Sequence, residues 1–217
     1  DILINNAGRS IRRSVAASYD RFHDYERTMQ LNYFGALKLI LAFMPGMRER
    51  KTGHIINVSS IGVQTNTPRF SAYVASKSAL DAFSRCVAPE AIGDGVHFTT
   101  VYMPLVKTPM IAPTSMYDAF PTLTPEEAAQ MLCDAMMDKP KRMATRLGTF
   151  GEVLYALSPK TVDIVLNAAY KLFPDSKAAK GVEDKDKKAL PAGQEEKDGE
   201  MSTEAVAMAY LMRGVHF

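Results

Sequence analysis

The stretch "RFSAYVASKSALDAF", Arg69 to Phe83, carries a tyrosine and a lysine one helical turn apart among small residues. Residues at positions i and i+4 of a helix share a face, with Cβ atoms roughly 5–6 Å apart. Tyr73 and Lys77 are therefore neighbours if this stretch is helical. Alone, such a pair is equally an ordinary surface contact, so its meaning depends on polar residues elsewhere in the chain.

The composition is that of a globular domain with a substantial core. The 217 residues are 47% hydrophobic and 23% charged, with a formal net charge of +2, which gives no reason to expect nucleic acid as a partner. No apolar run approaches the roughly 20 residues that span a bilayer. Cys86 and Cys133 have no metal-ligand spacing. We expect no metal site, and buried core thiols in a reducing compartment, the cytoplasm.

Short apolar runs alternate with helical patterns. Three of these runs are predicted to be strands: Ile2–Asn5, His54–Ser59 and Val96–Tyr102. Runs without strict alternation are typical of parallel strands that are covered on both faces. Helices are predicted over Asp20–Met47, from its periodicity near 3.6, and over Ser71–Ile92, which Pro89 kinks or ends. This alternation indicates an α/β fold.

The second half of the chain is less regular. Met103–Pro125 is rich in proline and is predicted to be a loop region. Thr124 is the expected cap of a helix over Pro125–Met137, because proline and acidic residues follow it. A further helix is predicted over Glu152–Phe173, with an interruption at Ser158-Pro159.

Composition divides the chain into three parts. Residues 1–174 are predicted to form the α/β domain, residues 175–200 a charged flexible linker, and residues 201–217 a terminal helix capped by Ser202. The sequence "DILINNAG" opens inside a predicted strand. We therefore expect the chain to be the carboxyl-terminal portion of a longer domain whose first strands lie upstream.

Polar residues follow the predicted strands at one edge of the sheet. "NNAG", Asn5 to Gly8, ends the first strand, and Ser60 ends the second. Asn32 stands within an otherwise apolar helical run. Ligands of open α/β sheets bind outside the carboxyl ends of the strands. These residues are thus expected to converge with Tyr73 and Lys77 on one site.

In this order and spacing, the four pieces resemble the short-chain dehydrogenase/reductase family over Asp1 to about Ala135. The resemblance implies a nicotinamide-dependent oxidoreductase with a Rossmann-like, doubly wound parallel sheet. The family's glycine-rich phosphate loop, G-x-x-x-G-x-G, does not occur in this sequence. The resemblance therefore implies the carboxyl-terminal portion of that sheet with the first strands absent, and we expect residues 1–217 alone to be inactive.

The resemblance implies four catalytic residues. Tyr73 would be the acid, Lys77 would lower the pKa of the phenol and contact ribose, Ser60 would bind the substrate oxygen, and Asn32 would hold a water behind Lys77. The alternatives are a strand-end cap for Ser60 and a local helix bond for Asn32.

The resemblance also implies a cofactor set. NADPH is expected, although the sequence does not distinguish NADP from NAD, and the contacts would be Asn5, Ala7, Gly8, Tyr73, Lys77 and Thr108. The family usually has Pro-Gly after the strand that follows the tyrosine helix. Here Met103-Pro104 stands in its place, which is a departure in the loop that leads to Thr108.

A narrower likeness is to bacterial fatty acyl-CoA reductases, carried by "NNAGRSIRRS", "RFHDYERTMQLNYFGA" and "YMPLVKTPMIAPT". It implies reduction of a long-chain acyl-CoA to a fatty aldehyde, in some members continuing to the alcohol. Hydride delivery to a thioester gives a thiohemiacetal that expels thiolate, so no nucleophilic cysteine is needed. Four residues of the apolar, proline-rich segment are candidates for substrate contact: Met103, Leu105, Met110 and Ile111. The alternatives are a generic carbonyl reductase of the same superfamily and an inactive module.

Partners follow from the same likeness. A long-chain acyl-CoA or fatty aldehyde is the expected substrate, with a homo-oligomer for the full-length protein and peripheral contact with the inner membrane face. The basic cluster Arg9, Arg12 and Arg13 is either a solvated loop or a contact for substrate phosphates.

Overall fold

The structure is a computed structural model that describes residues 1–108 and 122–172. Its strands form one parallel sheet in the order β1-β2-β3-β4. Their bounds are Ile2–Asn5 for β1, Gly53–Ser60 for β2, Val96–Met103 for β3 and Arg142–Met143 for β4. The parallel α/β sheet predicted from the sequence is confirmed. Strand β4 was not predicted, because two residues are too few to form a pattern.

The α-helices of the described residues alternate with the strands. Their bounds are α1 Phe22–Met29, α2 Ala36–Glu49, α3 Ile61–Thr65, α4 Ser71–Ala91, α5 Pro125–Asp138, α6 Arg146–Leu157 and α7 Pro159–Leu172. The predicted linker at 175–200, the terminal helix at 201–217 and most of the proline-rich segment lie outside the described residues.

The helix predicted over Asp20–Met47 is divided in the structure. A π-helical turn over Gln30–Gly35 joins α1 to α2, and Asn32 lies within it. A π-turn adds a residue to the helical repeat and is frequent at functional sites. Farther on, α4 continues past Pro89 to Ala91, so this proline does not end the helix.

The amino end of α5 follows the sequence prediction. Thr124 Oγ1 accepts a hydrogen bond from the Glu127 N–H at 3.2 Å, and Glu127 Oε2 accepts one from the Thr124 N–H at 2.7 Å. This reciprocal pair satisfies two N–H groups that a helix start leaves free.

Helices cover both faces of the sheet. Successive strand residues point to opposite faces, and Ile55 and Ile56 of β2 are both fully buried. Ile55 packs with Ile40 of α2 and Leu80 of α4, whereas Ile56 packs with Val101 and with Ala135 of α5. The doubly wound arrangement implied by the resemblance is therefore present over the described strands.

Register aligns the carboxyl ends of the strands. Asn5 of β1 lies opposite Asn57 of β2, and Ser60 of β2 lies opposite Met103 of β3. The chain therefore leaves all three strands at the same edge of the sheet. This edge carries the candidate site.

The two cysteines lie at the surface of the described chain. Cys86 and Cys133 are both exposed, so the prediction of buried thiols was wrong: each lies on the outward face of an amphipathic helix. No helix within residues 1–108 and 122–172 combines the length and apolar character needed to cross a membrane.

Candidate active site

A cleft of about 320 Å³ opens at the carboxyl ends of the strands. It is bounded by the turn after β1, the junction of β2 with α3, the first turns of α4, and the segment that follows β3. Seven of the predicted catalytic, cofactor-binding and substrate residues line it: Gly8, Ser60, Tyr73, Lys77, Met103, Leu105 and Thr108. The structure thus gathers residues from four separate stretches of the chain into one cavity.

Ser60 and Tyr73 both line this cleft, and the Ser60 hydroxyl is close enough to the phenol to favour its ionised form. Ser60 also caps α3, because its Oγ accepts a hydrogen bond from the Gly62 N–H at 3.1 Å. A serine hydroxyl has one donor and two acceptor positions, so the capping role and the contact with Tyr73 are compatible. The strand-end cap considered from the sequence is present alongside the contact with the phenol.

The environment of Tyr73 affects its protonation. Burial raises the pKa of Tyr73 above its ordinary value of 10.0, and the hydrogen bond with Ser60 offsets this only in part. Removing a phenolate from water is unfavourable, and this effect is larger than the neighbouring polar groups can reverse. Tyr73 is therefore a neutral phenol at neutral pH, the form that can donate a proton.

Lys77 lies beneath the same cleft and is 4% exposed. Its Nζ donates a hydrogen bond to the Val58 carbonyl at 2.7 Å, and burial lowers the pKa of Lys77 from 10.5 to about 8. Burial is thus the main cause of the pKa shift at both groups, and the expected effect of Lys77 on the pKa of Tyr73 stays a prediction.

Asn32 is held by three hydrogen bonds. Its Oδ1 accepts from the Arg9 N–H at 2.8 Å, and its Nδ2 donates to the Arg9 carbonyl at 2.9 Å and to Ser76 Oγ at 2.9 Å. These bonds connect the π-turn to the loop after β1 and to α4. The side chain is thus engaged with distant groups rather than in the local helix bond considered from the sequence.

Gly8 lies where the chain packs most closely against these residues. A Cβ atom placed on Gly8 would lie 3.1 Å from Lys77 Nζ and 3.2 Å from Asn32 Oδ1. A side chain at this position would fill the cleft above Lys77. The glycine leaves open a concave, partly polar space beside backbone and ammonium, and a nicotinamide nucleotide fits that kind of space.

Two members of the expected cofactor set do not line the cleft. Ala7 is exposed and is not part of the described lining, whereas Asn5 lies below it, where its Nδ2 donates to Asn57 Oδ1 at 2.7 Å. Asn57 in turn donates to Ser84 Oγ at 2.8 Å. Asn57 was not predicted from the sequence, although an asparagine in an otherwise apolar strand is a usable signal.

The upper wall of the cleft is apolar. Ile61, Phe70 and Val106 line it together with Met103 and Leu105, and the Phe70 ring lies edge-on to the Tyr73 ring with centroids 6.4 Å apart. Met110 and Ile111, the other expected substrate residues, lie outside the described residues. Phe70 was missed because nothing in its local pattern separates a cleft aromatic from a core aromatic.

The basic cluster divides into different environments. Arg13 Nε lies 3.3 Å from the carboxylate of buried Asp24, so Arg13 has a structural partner. Arg9 is exposed and lines the cleft, and Arg12 has interactions of its own. Arg9 is therefore the member of the cluster that the structure places at the site.

Polar contacts from α6 and β4 support the short helix after Ser60. Gln64 of α3 is buried, and its Nε2 donates to Glu152 Oε2 at 3.0 Å. Arg142 Nη2 donates to the same carboxylate oxygen at 2.5 Å, and these bonds hold the pKa of Glu152 below its usual value despite partial burial. They attach α3, and hence the end of β2, to the rest of the domain.

Among the described residues, no group of three His, Cys, Asp or Glu side chains could hold a metal ion.

Comparison with known proteins agrees with this geometry. The model of the short chain dehydrogenase family matches residues 1–117, and the chain belongs to that family. A solved short chain dehydrogenase from Burkholderia cenocepacia, in complex with NADP, superimposes with a TM-score of 0.66 at 24% identity, covering 80% of this chain and 69% of that one. At this identity the likeness concerns the fold.

Two relatives are much closer in sequence. An uncharacterized oxidoreductase of Mycobacterium tuberculosis is 60% identical over 183 residues, which are 84% of this chain and 54% of that protein. A fatty acyl-CoA reductase of Acinetobacter baylyi is 57% identical over 185 residues, 85% of this chain and 63% of that protein. The chain thus spans little more than half the length of these relatives.

Proposed function

We propose that the protein reduces a long-chain fatty acyl-CoA to a fatty aldehyde with NADPH, releasing free coenzyme A. The observation that carries the proposal is the placement of Ser60, Tyr73 and Lys77 in one cleft with an apolar upper wall. The 57% identity to a fatty acyl-CoA reductase supports the substrate class. The proposed product is the aldehyde. Further reduction to the alcohol, which the resemblance also implies for some members, is the alternative.

The proposed cofactor contacts follow from the cleft. Gly8, Thr108 and Lys77 would hold NADPH, with the Lys77 ammonium toward ribose hydroxyls and Asn5 and Ala7 shaping the turn that carries Gly8. NADPH, when bound, supplies the hydride, and the protein supplies placement and charge. We propose NADPH rather than NADH as the cofactor. Measured dissociation constants of the full-length protein for the two nucleotides test this choice.

Tyr73 is the proposed acid. Its raised pKa keeps the phenol protonated, so it can donate a proton to an oxygen that gains negative charge during reduction. Ser60 contributes a second hydrogen bond to the same oxygen. The acyl carbon accepts a hydride while its oxygen accepts the proton of Tyr73, which gives a thiohemiacetal. The carbon–sulfur bond then breaks as the carbonyl re-forms, the hydroxyl proton returns to Tyr73, and the thiolate takes a proton from water and leaves as coenzyme A, so the net reaction consumes one hydride and one proton.

Asn32 is proposed as a positioning residue. Its side-chain oxygen and nitrogen are engaged by Arg9 and Ser76, so they fix the turn that carries Gly8. The water expected behind Lys77 remains a prediction for this site, and a high-resolution crystal structure with bound nucleotide would test it.

Met103 and Leu105 are the proposed substrate contacts among the described residues, with Met110 and Ile111 proposed from the sequence. Both described residues contribute apolar side chains to the wall of the cleft that Tyr73 also lines. Such a wall favours a hydrocarbon chain, since each buried methylene contributes about 0.8 kcal/mol. Arg9 at the cleft is a candidate contact for a phosphate of coenzyme A.

A single assay tests the reaction. The full-length protein is incubated with hexadecanoyl-CoA and NADPH, and aldehyde, free thiol and NADPH consumption are followed together. The proposal predicts thiol and aldehyde in equal amounts. NADPH oxidation with a small ketone, without thiol release from any acyl-CoA, would instead assign a generic carbonyl reductase.

Peripheral membrane contact is proposed for α6 and α7, alongside a cytoplasmic location. Large apolar side chains of these helices are exposed: Phe150, Val153, Leu157, Ile164 and Val165. An exposed apolar patch of this kind marks an interaction surface. Co-flotation of the full-length protein with phospholipid vesicles tests this proposal, and its abolition by Leu157→Asp would locate the contact.

A homo-oligomer is likewise proposed for the full-length protein. Leu31, Phe34, Leu41 and Phe43, on the π-turn and α2, are exposed in the described chain. Sedimentation equilibrium of the wild type and of Phe43→Asp measures this directly, with a lower mass expected for the variant.

We also propose that residues 1–217 alone do not turn over substrate. The sequence contains no G-x-x-x-G-x-G loop for the pyrophosphate, and β1 lies at the edge of the described sheet with Ile2 48% exposed. An open apolar strand edge favours aggregation. A cooperative thermal transition of this chain that rises with added NADPH would contradict the proposal.

A further inference from the structure

A second cavity of about 520 Å³ lies beside the catalytic cleft. Its wall combines the short helical turn Val15–Ala17, the loop between α3 and α4, the start of α4, and Tyr170 of α7. None of the residues assigned to catalysis lines it. It is therefore a separate space with its own lining.

The two cavities share part of their walls. Thr67 and Val74 line both, and Val74 directly follows Tyr73 in α4. A ligand whose reacting carbon lies at the Tyr73 hydroxyl would reach the second cavity by passing these two side chains. The shared residues place this space next to the reaction centre.

The lining suits a hydrocarbon. Val15, Ala16, Pro68, Val74 and Ala75 contribute apolar surface, and the uncharged polar residues of the lining are Ser14, Asn66, Thr67 and Ser71. The charged residue of the lining is Arg69, and its guanidinium lies 3.9 Å from the centroid of the Tyr170 ring, so its charge already faces an aromatic partner. An uncharged, flexible chain is the ligand whose desolvation costs least free energy on entering such a space.

The loop that bounds the cavity has a fixed, unusual backbone. Asn66 and Arg69 have φ values of 51° and 70°, in the left-handed region that residues other than glycine seldom adopt. The Arg69 carbonyl accepts a hydrogen bond from the Arg13 N–H at 2.7 Å. Such conformations persist only where surrounding structure enforces them, and they concentrate at binding sites.

We propose that this second cavity receives the distal end of the substrate's alkyl chain, and that it sets the preference for long chains. The inference rests on the proposed function, since it requires a substrate with an extended hydrocarbon tail.

The test fills the cavity without touching the catalytic residues. Ala75 is exposed and lines the second cavity but not the cleft, so Ala75→Phe occupies the space while the fold tolerates it. Ala82→Phe is the matched control, because Ala82 is an exposed alanine two turns farther along α4 and lines neither cavity. Both variants are made in the full-length protein. They are compared only if their sedimentation coefficients and melting temperatures equal each other, which shows that both are folded.

Two readouts are used. One is kcat/KM for thiol release from butanoyl-, octanoyl- and hexadecanoyl-CoA with NADPH; the other is calorimetric binding of hexadecanoyl-CoA without nucleotide. Each excluded methylene weakens binding about fourfold. Ala75→Phe should therefore lower both values for hexadecanoyl-CoA by roughly tenfold or more, and leave butanoyl-CoA as in Ala82→Phe.

The outcomes separate the two proposals. Wild-type protein that prefers hexadecanoyl-CoA, together with an Ala75→Phe variant that keeps the same preference, overturns the cavity assignment while the proposed function stands. A wild type that releases no thiol from any acyl-CoA overturns both. If Ala75→Phe fails to fold, Val15→Asp replaces it: Val15 is 55% exposed at the rim, and a carboxylate there should select against the long chain in the same way.

Discussion

The side chain of Asn32 holds the backbone of Arg9 at both of its polar groups. Asn32 Oδ1 accepts from the Arg9 N–H at 2.8 Å, and Asn32 Nδ2 donates to the Arg9 carbonyl at 2.9 Å. Arg9 follows Gly8, whose missing side chain leaves the space above Lys77 open. One amide, buried in a π-turn, therefore sets the shape of the loop that borders the cleft.

Replacement of Asn32 by aspartate should disrupt this arrangement with little change in volume. A carboxylate cannot donate to the Arg9 carbonyl, and leaving a buried polar group without its partner costs about 1–3 kcal/mol. We expect Asn32→Asp to unfold at a lower urea concentration and to bind NADPH more weakly. Gln30→Glu makes the same chemical change at an exposed position of the same turn, and it should alter neither quantity.

The burial of Lys77 makes a prediction about stability and pH. Its pKa is about 8 in the folded protein and 10.5 in the unfolded chain, so below pH 8 the folded state contains an ammonium that burial disfavours. Lys77→Met should thus raise the free energy of unfolding at pH 7, by about 1–3 kcal/mol, while weakening NADPH binding.

The folded and unfolded pKa values of Lys77 determine the direction in which stability changes with pH. Between pH 8 and 10.5 the unfolded chain binds a proton that the folded wild type has released, so the wild type gains stability as the pH rises. The advantage of Lys77→Met should accordingly shrink over this range. Lys38→Met, at an exposed position on α2, should show no such trend. A variant less stable than the wild type at pH 7 would refute the account of Lys77.

The contact of α3 with α6 can be tested at a glycine. A Cβ atom on Gly148 would lie 2.2 Å from Gln64 Oε1 and 3.2 Å from a carbon of Ile61, and Gln64 is held in place by Glu152. Overpacking of this kind costs about 1–3 kcal/mol. We expect Gly148→Ala to lower the melting temperature, whereas Gly93→Ala, which meets nothing within 4 Å, should leave it unchanged or slightly raised. Equal effects of the two changes would show that α6 is not packed as described.

Much of the fold could be predicted from the sequence because its signals are local. Three strands and the capped start of α5 depend on short apolar runs and on turn chemistry near Thr124. The break between α1 and α2 could not be predicted, because Asn32 adopts its π-turn through bonds to Arg9 and Ser76, which are distant in sequence. The second cavity depends in the same way on Tyr170 meeting Arg69.

The site shows the same division. Tyr73, Lys77 and Ser60 could be placed together from their spacing and from the rule that parallel strands end at one edge. The direction of the pKa shift of Tyr73 could not be predicted from the sequence, because it depends on how completely the surrounding chain excludes water from the phenol. Burial is a property of the whole domain, and the sequence around Tyr73 contains no measure of it.

The most direct test of the central claim is the rate of thiol and aldehyde release by Tyr73→Phe in the full-length protein, with hexadecanoyl-CoA and NADPH. Phenylalanine keeps the shape of the ring and removes the proton, and general acid catalysis contributes typically 10²–10⁴-fold. The account predicts that kcat falls by about that factor, while the dissociation constant for NADPH changes less than about threefold. Release of thiol and aldehyde by Tyr73→Phe at close to the wild-type rate would contradict it.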